Sequence, residues 1–179
     1  LDSHKSISKY EFEKILGFKF GTFNAVLTFH PESYCEDYGI KKLKNILKAI
    51  IYLESNVLIT YPNIDEGSEK IKKALISFSE KYSKKSFLYR SIGSDLYLAS
   101  LKLFDVVIGN SSSGIIEAPL IGIPSINVGE RQKGRATFGE VFNTKGSYDE
   151  IIKKLVLLKK NKGSINLPRS LQIARKLPS

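Results

Sequence analysis

The stretch FDVVIGNSSSGIIEAPLIGIPSINV, Phe104 to Val128, decides the fold. Its first run, Asp105–Gly109, is short, apolar and β-branched, and so is its last, Pro124–Val128. Between them Gly114–Gly122 reads as a short helix. A strand that hands over to a helix and then to another strand is the unit of a parallel sheet. Three hydroxyls, Ser111, Ser112 and Ser113, stand at the handover.

Outward from this unit the same alternation continues. Strand-like runs occupy Ala25–Phe29, Asn56–Tyr61, Ser86–Arg90 and Glu140–Thr144. Helical spacing marks GIKKLKNILKAIIYL, with Ile40, Leu43, Ile46, Leu47, Ile50 and Ile51 on one side, and SEKIKKALISFSEKY, with Ile71, Leu75 and Phe78. Ser94 is the expected N-cap of a helix running to Phe104, and Ser147 that of a helix ending near Lys159 and Lys160, cations suited to a helix C-terminus. PRSLQIARKL, near the end, is expected to form a last helix. Six strands alternating with helices predict one α/β domain over residues 1–179.

Composition bounds the function. A 42% hydrophobic fraction in 179 residues supports a buried core and argues against disorder. No apolar run reaches the length of a membrane span. The single cysteine, Cys35, excludes an internal disulfide framework and a cysteine-rich metal site, and fits a reducing, cytoplasmic setting. The net charge of +10 comes largely from lysines spaced as on solvated helix faces. No arginine-rich tract or RNA-binding motif accompanies it, so nucleic acid is not the expected partner.

Parallel sheets bind ligands beyond the carboxyl ends of their strands, which directs attention to loops beginning at His30, Pro62, Ser91, Asn110 and Gly129. His30, fixed before a proline, suits a phosphate donor or an acid–base group, with a plain loop histidine as the alternative. Asn63 and Asp65 are polar groups at a strand end, although Asp65 and Gly67 also suit a turn. The serine turn offers small donors and free backbone N–H groups at a helix start, an arrangement that holds anions. Glu117, one turn further, is within reach of ribose hydroxyls. Simple capping is the competing reading of the serines. The glycine-flanked loop GERQKGR places Arg131 and Arg135 where a diphosphate could meet them. The loops carry neither GxGxxG nor a Walker A pattern.

HPES, YPNIDEGS and IGNSSSGIIEAPLIGIPSINVGERQKGR together resemble the UDP-N-acetylglucosamine 2-epimerases, most closely their hydrolysing branch of sialic and legionaminic acid biosynthesis. The resemblance implies a Rossmann-like three-layer fold forming the C-terminal half of a two-domain GT-B-type enzyme whose N-terminal domain is absent here. It implies a ligand, UDP and its amino-sugar conjugate, and no cofactor or metal. Residue by residue it makes His30 the cleft histidine near the phosphates and gives Ser111, Ser112 and Ser113 the diphosphate. Glu117 takes the ribose, Arg131 and Arg135 close the site, and Asn63 and Asp65 reach the sugar. The segment Tyr89–Ser94 meets the uracil by analogy. The implied chemistry removes the C2 proton, eliminates UDP and hydrates the resulting glycal, with the acid–base carboxylates on the other domain. The resemblance further implies a homodimer for the whole protein, and weak UDP binding without turnover for this part alone. The donor half of a GT-B glycosyltransferase and a basic nucleic-acid module are the alternatives.

Overall fold

The structure, a computed structural model, describes residues 6–162. The helix expected in 168–177 lies outside the described residues. The strands are β1 (Asn24–Thr28), β2 (Asn56–Thr60), β3 (Ser86–Tyr89), β4 (Val106–Gly109), β5 (Ser125–Val128) and β6 (Val141–Thr144). They form one parallel sheet in the order β3-β2-β1-β4-β5-β6. Each end falls within one residue of its expected place.

The helices are α1 (Lys9–Leu16), α2 (Ile40–Tyr52), α3 (Ser68–Lys81), α4 (Ser94–Ser100), α5 (Glu117–Ile121) and α6 (Tyr148–Lys160). The period of two along each strand sorts its side chains between two layers of helices. Ala25, Leu27, Val57, Ile59, Val106 and Ile108 face α2, α3 and α6 in a mainly aliphatic core. Val26, Leu58 and Val107 face the other way, against Phe12 of α1, Phe18, Leu101 and Phe104. Phe18 lies edge-on to Phe12 and Phe104 at 5.9 and 5.3 Å between centroids, a favoured geometry for ring pairs. Buried on both faces, the central strands need the near-continuous apolar runs seen in the sequence. Among the described residues, no helix is long and apolar enough to cross a membrane.

Three local expectations change. Ser94 is the first helical residue; Gly93 occupies the cap and offers no side chain, so Ser94 does not cap. The helix expected to Phe104 ends at Ser100 and tightens into a 3₁₀ turn, Leu101–Leu103. The helix expected over Gly114–Gly122 divides into a 3₁₀ turn, Ser112–Gly114, and the five-residue α5, so Glu117 is its first residue and not one turn in. Ser147 caps α6 as expected, accepting from the Glu150 N–H at 3.4 Å. The sequence reading passed over α1, although Ser8 and Glu11 form a complete capping box there.

The strand order reverses between β1 and β4. Their connections leave toward opposite sides, and a crevice opens at their carboxyl ends. The loops after β1 and β4 carry His30 and the three serines.

Candidate functional site

At this crevice β1 and β4 approach closely. A Cβ on Gly109 would stand 2.0 Å from the Thr28 carbonyl oxygen, and Gly109 adopts φ +138°, so only glycine fits. The next residue, Asn110, is fully buried and ties the two loops together. Its Oδ1 accepts from the His30 backbone N–H at 2.7 Å, and its Nδ2 donates to the His30 carbonyl at 2.8 Å. Gln132, from the loop after β5, donates Nε2 to the Asn110 carbonyl at 2.8 Å. Three strand-end loops are thereby fixed by one buried amide pair.

The His30 ring is buried. Its Nδ1 accepts from the Asn63 backbone N–H at 3.1 Å, so the neutral ring carries its proton on Nε2. Burial first, and then the Arg131 cation, lower its pKa to about 4, while Asp65 pulls the other way. Near neutral pH His30 is therefore an uncharged N–H donor. It lines a depression of about 380 Å³ with Thr28, Asn63, Arg90, Tyr97, Ser111 and Ser113.

The serine turn is ordered by its own hydroxyls. Ser111 Oγ accepts from the Ser113 N–H at 3.4 Å, and Ser113 Oγ donates to the Tyr97 hydroxyl at 2.8 Å. Burial raises the Tyr97 pKa, and the nearby Glu117 carboxylate adds to the rise. Glu117 Oε2 is buried and makes no hydrogen bond among the described residues. An acceptor left bare at this cost marks a place where a ligand's hydroxyl is worth most.

The loop after β5 is seated from below. Glu32 is buried and pairs with Lys42 at 2.5 Å. A Cβ on Gly129 would fall 2.0 Å from Glu32 Oε1, and the Glu130 N–H donates to the Tyr34 hydroxyl at 3.1 Å. This seat presents the loop with two sides. Arg131 acts on His30. Arg135 lines a second depression of about 370 Å³ with Asn127, Gln132, Lys133, Asn143 and Lys145.

The sequence-predicted residues thus fall into groups. His30, Asn63, Ser111 and Ser113 share one depression. Arg131 and Asp65 act electrostatically on His30, and Asp65 is exposed in a turn whose carbonyl accepts from the Ser68 N–H. Ser112 opens the 3₁₀ turn, and Glu117 stands behind it near Tyr97. Arg135 faces the other depression. Sequence reasoning missed Asn110, Gln132 and Tyr97. The position of Asn110 directly after a strand-ending glycine was the available signal; Tyr97 reads as an ordinary helix aromatic.

Three comparisons relate the chain to known proteins. The family model described as UDP-N-acetylglucosamine 2-epimerase matches residues 2–172. A protein of Campylobacter jejuni subsp. jejuni, GDP/UDP-N,N'-diacetylbacillosamine 2-epimerase (hydrolyzing), is 34% identical over 151 residues, which cover 83% of this chain and 39% of that protein. UDP-N-acetylglucosamine 2-epimerase of Neisseria meningitidis serogroup B is 35% identical over 127 residues, covering 69% of this chain and 33% of that one. The chain spans about a third to two fifths of the length of the curated relatives it matches. In fold it is similar to the solved UDP-GlcNAc 2-epimerase of Methanocaldococcus jannaschii, with a TM-score of 0.61 at 19% identity over 93% of this chain and 48% of that one. The complex of the M. jannaschii enzyme with UDP-GlcNAc and UDP gives a TM-score of 0.59 at 17% identity, covering 93% and 48%. The fold is the Rossmann-like unit of a GT-B-type structure.

Proposed function

The chain belongs to the UDP-N-acetylglucosamine 2-epimerase family, and on that premise we propose that it is the UDP-binding part of a hydrolysing 2-epimerase. The substrate is UDP-GlcNAc or a UDP-linked diacetylated bacillosamine, and the products are the free 2-epimer and UDP. The observation that carries this reading is the buried, neutral His30, its Nδ1 already occupied, beside Ser111 and Ser113 at the reversal of strand order.

In this reading the crevice holds the leaving group. A base on the remaining part of the protein takes the C2 proton. The C1–O bond to UDP breaks as C1=C2 forms, and negative charge gathers on the departing diphosphate. The His30 Nε2–H, the serine turn and the Arg131 cation meet that charge, and fixed donors there lower the barrier without reorganising. Water then adds across the glycal, hydroxyl to C1 and hydrogen to C2 on the opposite face, and gives the 2-epimer. Ser111, Ser112 and Ser113 are assigned to the diphosphate, Glu117 to the ribose, and Asn63 and Asp65 to the sugar side. Arg135 stands on the other side of its loop, so the cation at the diphosphate is assigned to Arg131.

Incubation of the intact protein with each UDP-sugar tests the proposal. Release of UDP together with a free N-acetylmannosamine-type product is expected. Sugar transfer only to an added acceptor would instead make the chain the donor half of a glycosyltransferase.

A further inference from the structure

The depression beyond the Gly129–Arg135 loop shares no lining residue with the His30 depression. It lies over the carboxyl ends of β5 and β6, where Asn127 and Asn143 are paired, each next to last in its strand. Two of its side chains are buried amides with bare acceptors. Gln132, 3% exposed, has its Nε2 committed to the Asn110 carbonyl, which can only accept, so Oε1 must be the free end. Asn127, 7% exposed, gives Nδ2 to Asn143 Oδ1 at 2.8 Å. Gln132 Oε1 and Asn127 Oδ1 are both buried and have no hydrogen-bond partner among the described residues. Buried polar atoms are rarely left so, and two in one wall call for a ligand that donates.

The net charge around them is positive. Lys133, Arg135 and Lys145 line the depression against one carboxylate, Glu130, so three cations and one anion leave an excess of two positive charges. Glu130 lies 3.7 Å from Lys133 in an exposed pair that solvent screens. Arg135 and Lys145 form no ion pair among the described residues. Glu150, which is not among the lining residues, accepts from Thr144 Oγ1 and the Lys145 N–H, and its carboxylate interacts with the Lys145 cation.

We propose that this depression is a second ligand site, for a small anionic sugar. Hydroxyl or amide hydrogens of the sugar donate to Gln132 Oε1 and Asn127 Oδ1. Its phosphate or carboxylate group is met by Lys133, Arg135 and Lys145. A bare anion satisfies only the cations, and a neutral sugar only the amides. The site stands independently of UDP binding in the His30 crevice.

Calorimetry on the intact protein tests it with four probes: N-acetylglucosamine 6-phosphate, glucuronate, neutral N-acetylglucosamine and inorganic phosphate. At least one of the first two binds, and the last two bind about tenfold or more weakly, the factor expected for losing one charge-assisted or two neutral contacts. Which of the two binds identifies the anionic group as phosphate or carboxylate. The exposed pair Arg135→Ala and Lys145→Ala weakens that binding by about tenfold or more, whereas Ser112→Ala with Ser113→Ala leaves it in place. The proposal is overturned if neither charged sugar binds, if inorganic phosphate binds as tightly as the sugar phosphate, or if the serine pair and not the Arg135 and Lys145 pair abolishes binding.

Discussion

The two depressions on the carboxyl edge of the sheet hold their polar groups in opposite ways. In the His30 crevice most of the groups are tied to one another: His30 to Asn110 and Asn63, Asn110 to Gln132, Ser113 to Tyr97, with Glu117 Oε2 the bare acceptor behind the serine turn. In the β5–β6 depression two acceptors are bare and the cations stand exposed on loops. The first is a set of donors fixed before a ligand arrives, which gives specificity for a shape. The second depends on charge, which salt weakens wherever the groups are exposed. Substitutions in the crevice should therefore cost fold and binding together, and those around the other depression should cost little fold.

Glycine to alanine gives the widest contrast. Gly109→Ala drives a Cβ into the Thr28 carbonyl at 2.0 Å and is expected to destabilise by about 4 kcal/mol or more in urea unfolding. Gly134→Ala, in the loop of the second depression, meets nothing within 4 Å and pays only for its φ of +81°, about 1 kcal/mol. Equal losses would break the comparison.

His30 gives the next largest effect. Its folded pKa of about 4 lies below the unfolded 6.5, so the unfolded chain takes up the proton first as pH falls. Its contribution is complete above pH 6.5, declines toward pH 4, and amounts to about 3 kcal/mol over that span. His30→Gln should flatten this part of the stability–pH curve relative to the parent; parallel curves would mean that the ring is not held neutral.

Binding in the crevice should then respond more modestly. Ser112→Ala with Ser113→Ala is expected to weaken UDP by about 1–3 kcal/mol in calorimetry, the scale of lost hydrogen bonds to a charged group. Arg131→Ala should weaken it several-fold more than Arg135→Ala, since only Arg131 acts on His30. The reverse order would exchange the roles of the loop's two sides. The smallest effect belongs to Glu117: the affinity gap between UDP and 2′,3′-dideoxy-UDP should narrow by about 1 kcal/mol in Glu117→Gln, and a constant gap would detach Glu117 from the ribose.

The strands were legible because each is a short β-branched run between turn residues, and burial on both faces made those runs continuous. Strand order was not, because pairing Val26 with both Leu58 and Val107 joins residues far apart in the chain. The short helices were the weak point. In Gly114–Gly122, Pro119 and two flanking glycines interrupt the period, and tertiary contacts set where the 3₁₀ turn gives way to α5. Helix α1 carried a local signal in Ser8 and Glu11, but only two turns of it. At the site, the serines and His30 announced themselves by residue type and position after strands. Asn110, Gln132 and Tyr97 did not, since what each does depends on a partner that only the fold brings near.

The central claim is that the diphosphate of UDP lies between His30 and the Ser111–Ser113 turn. A crystal structure of the intact protein with UDP tests it most directly. The account predicts diphosphate density within hydrogen-bonding distance of His30 Nε2 and the serine turn, with the ribose hydroxyls toward Glu117. Diphosphate density in the β5–β6 depression, with the His30 crevice filled only by water, would contradict it.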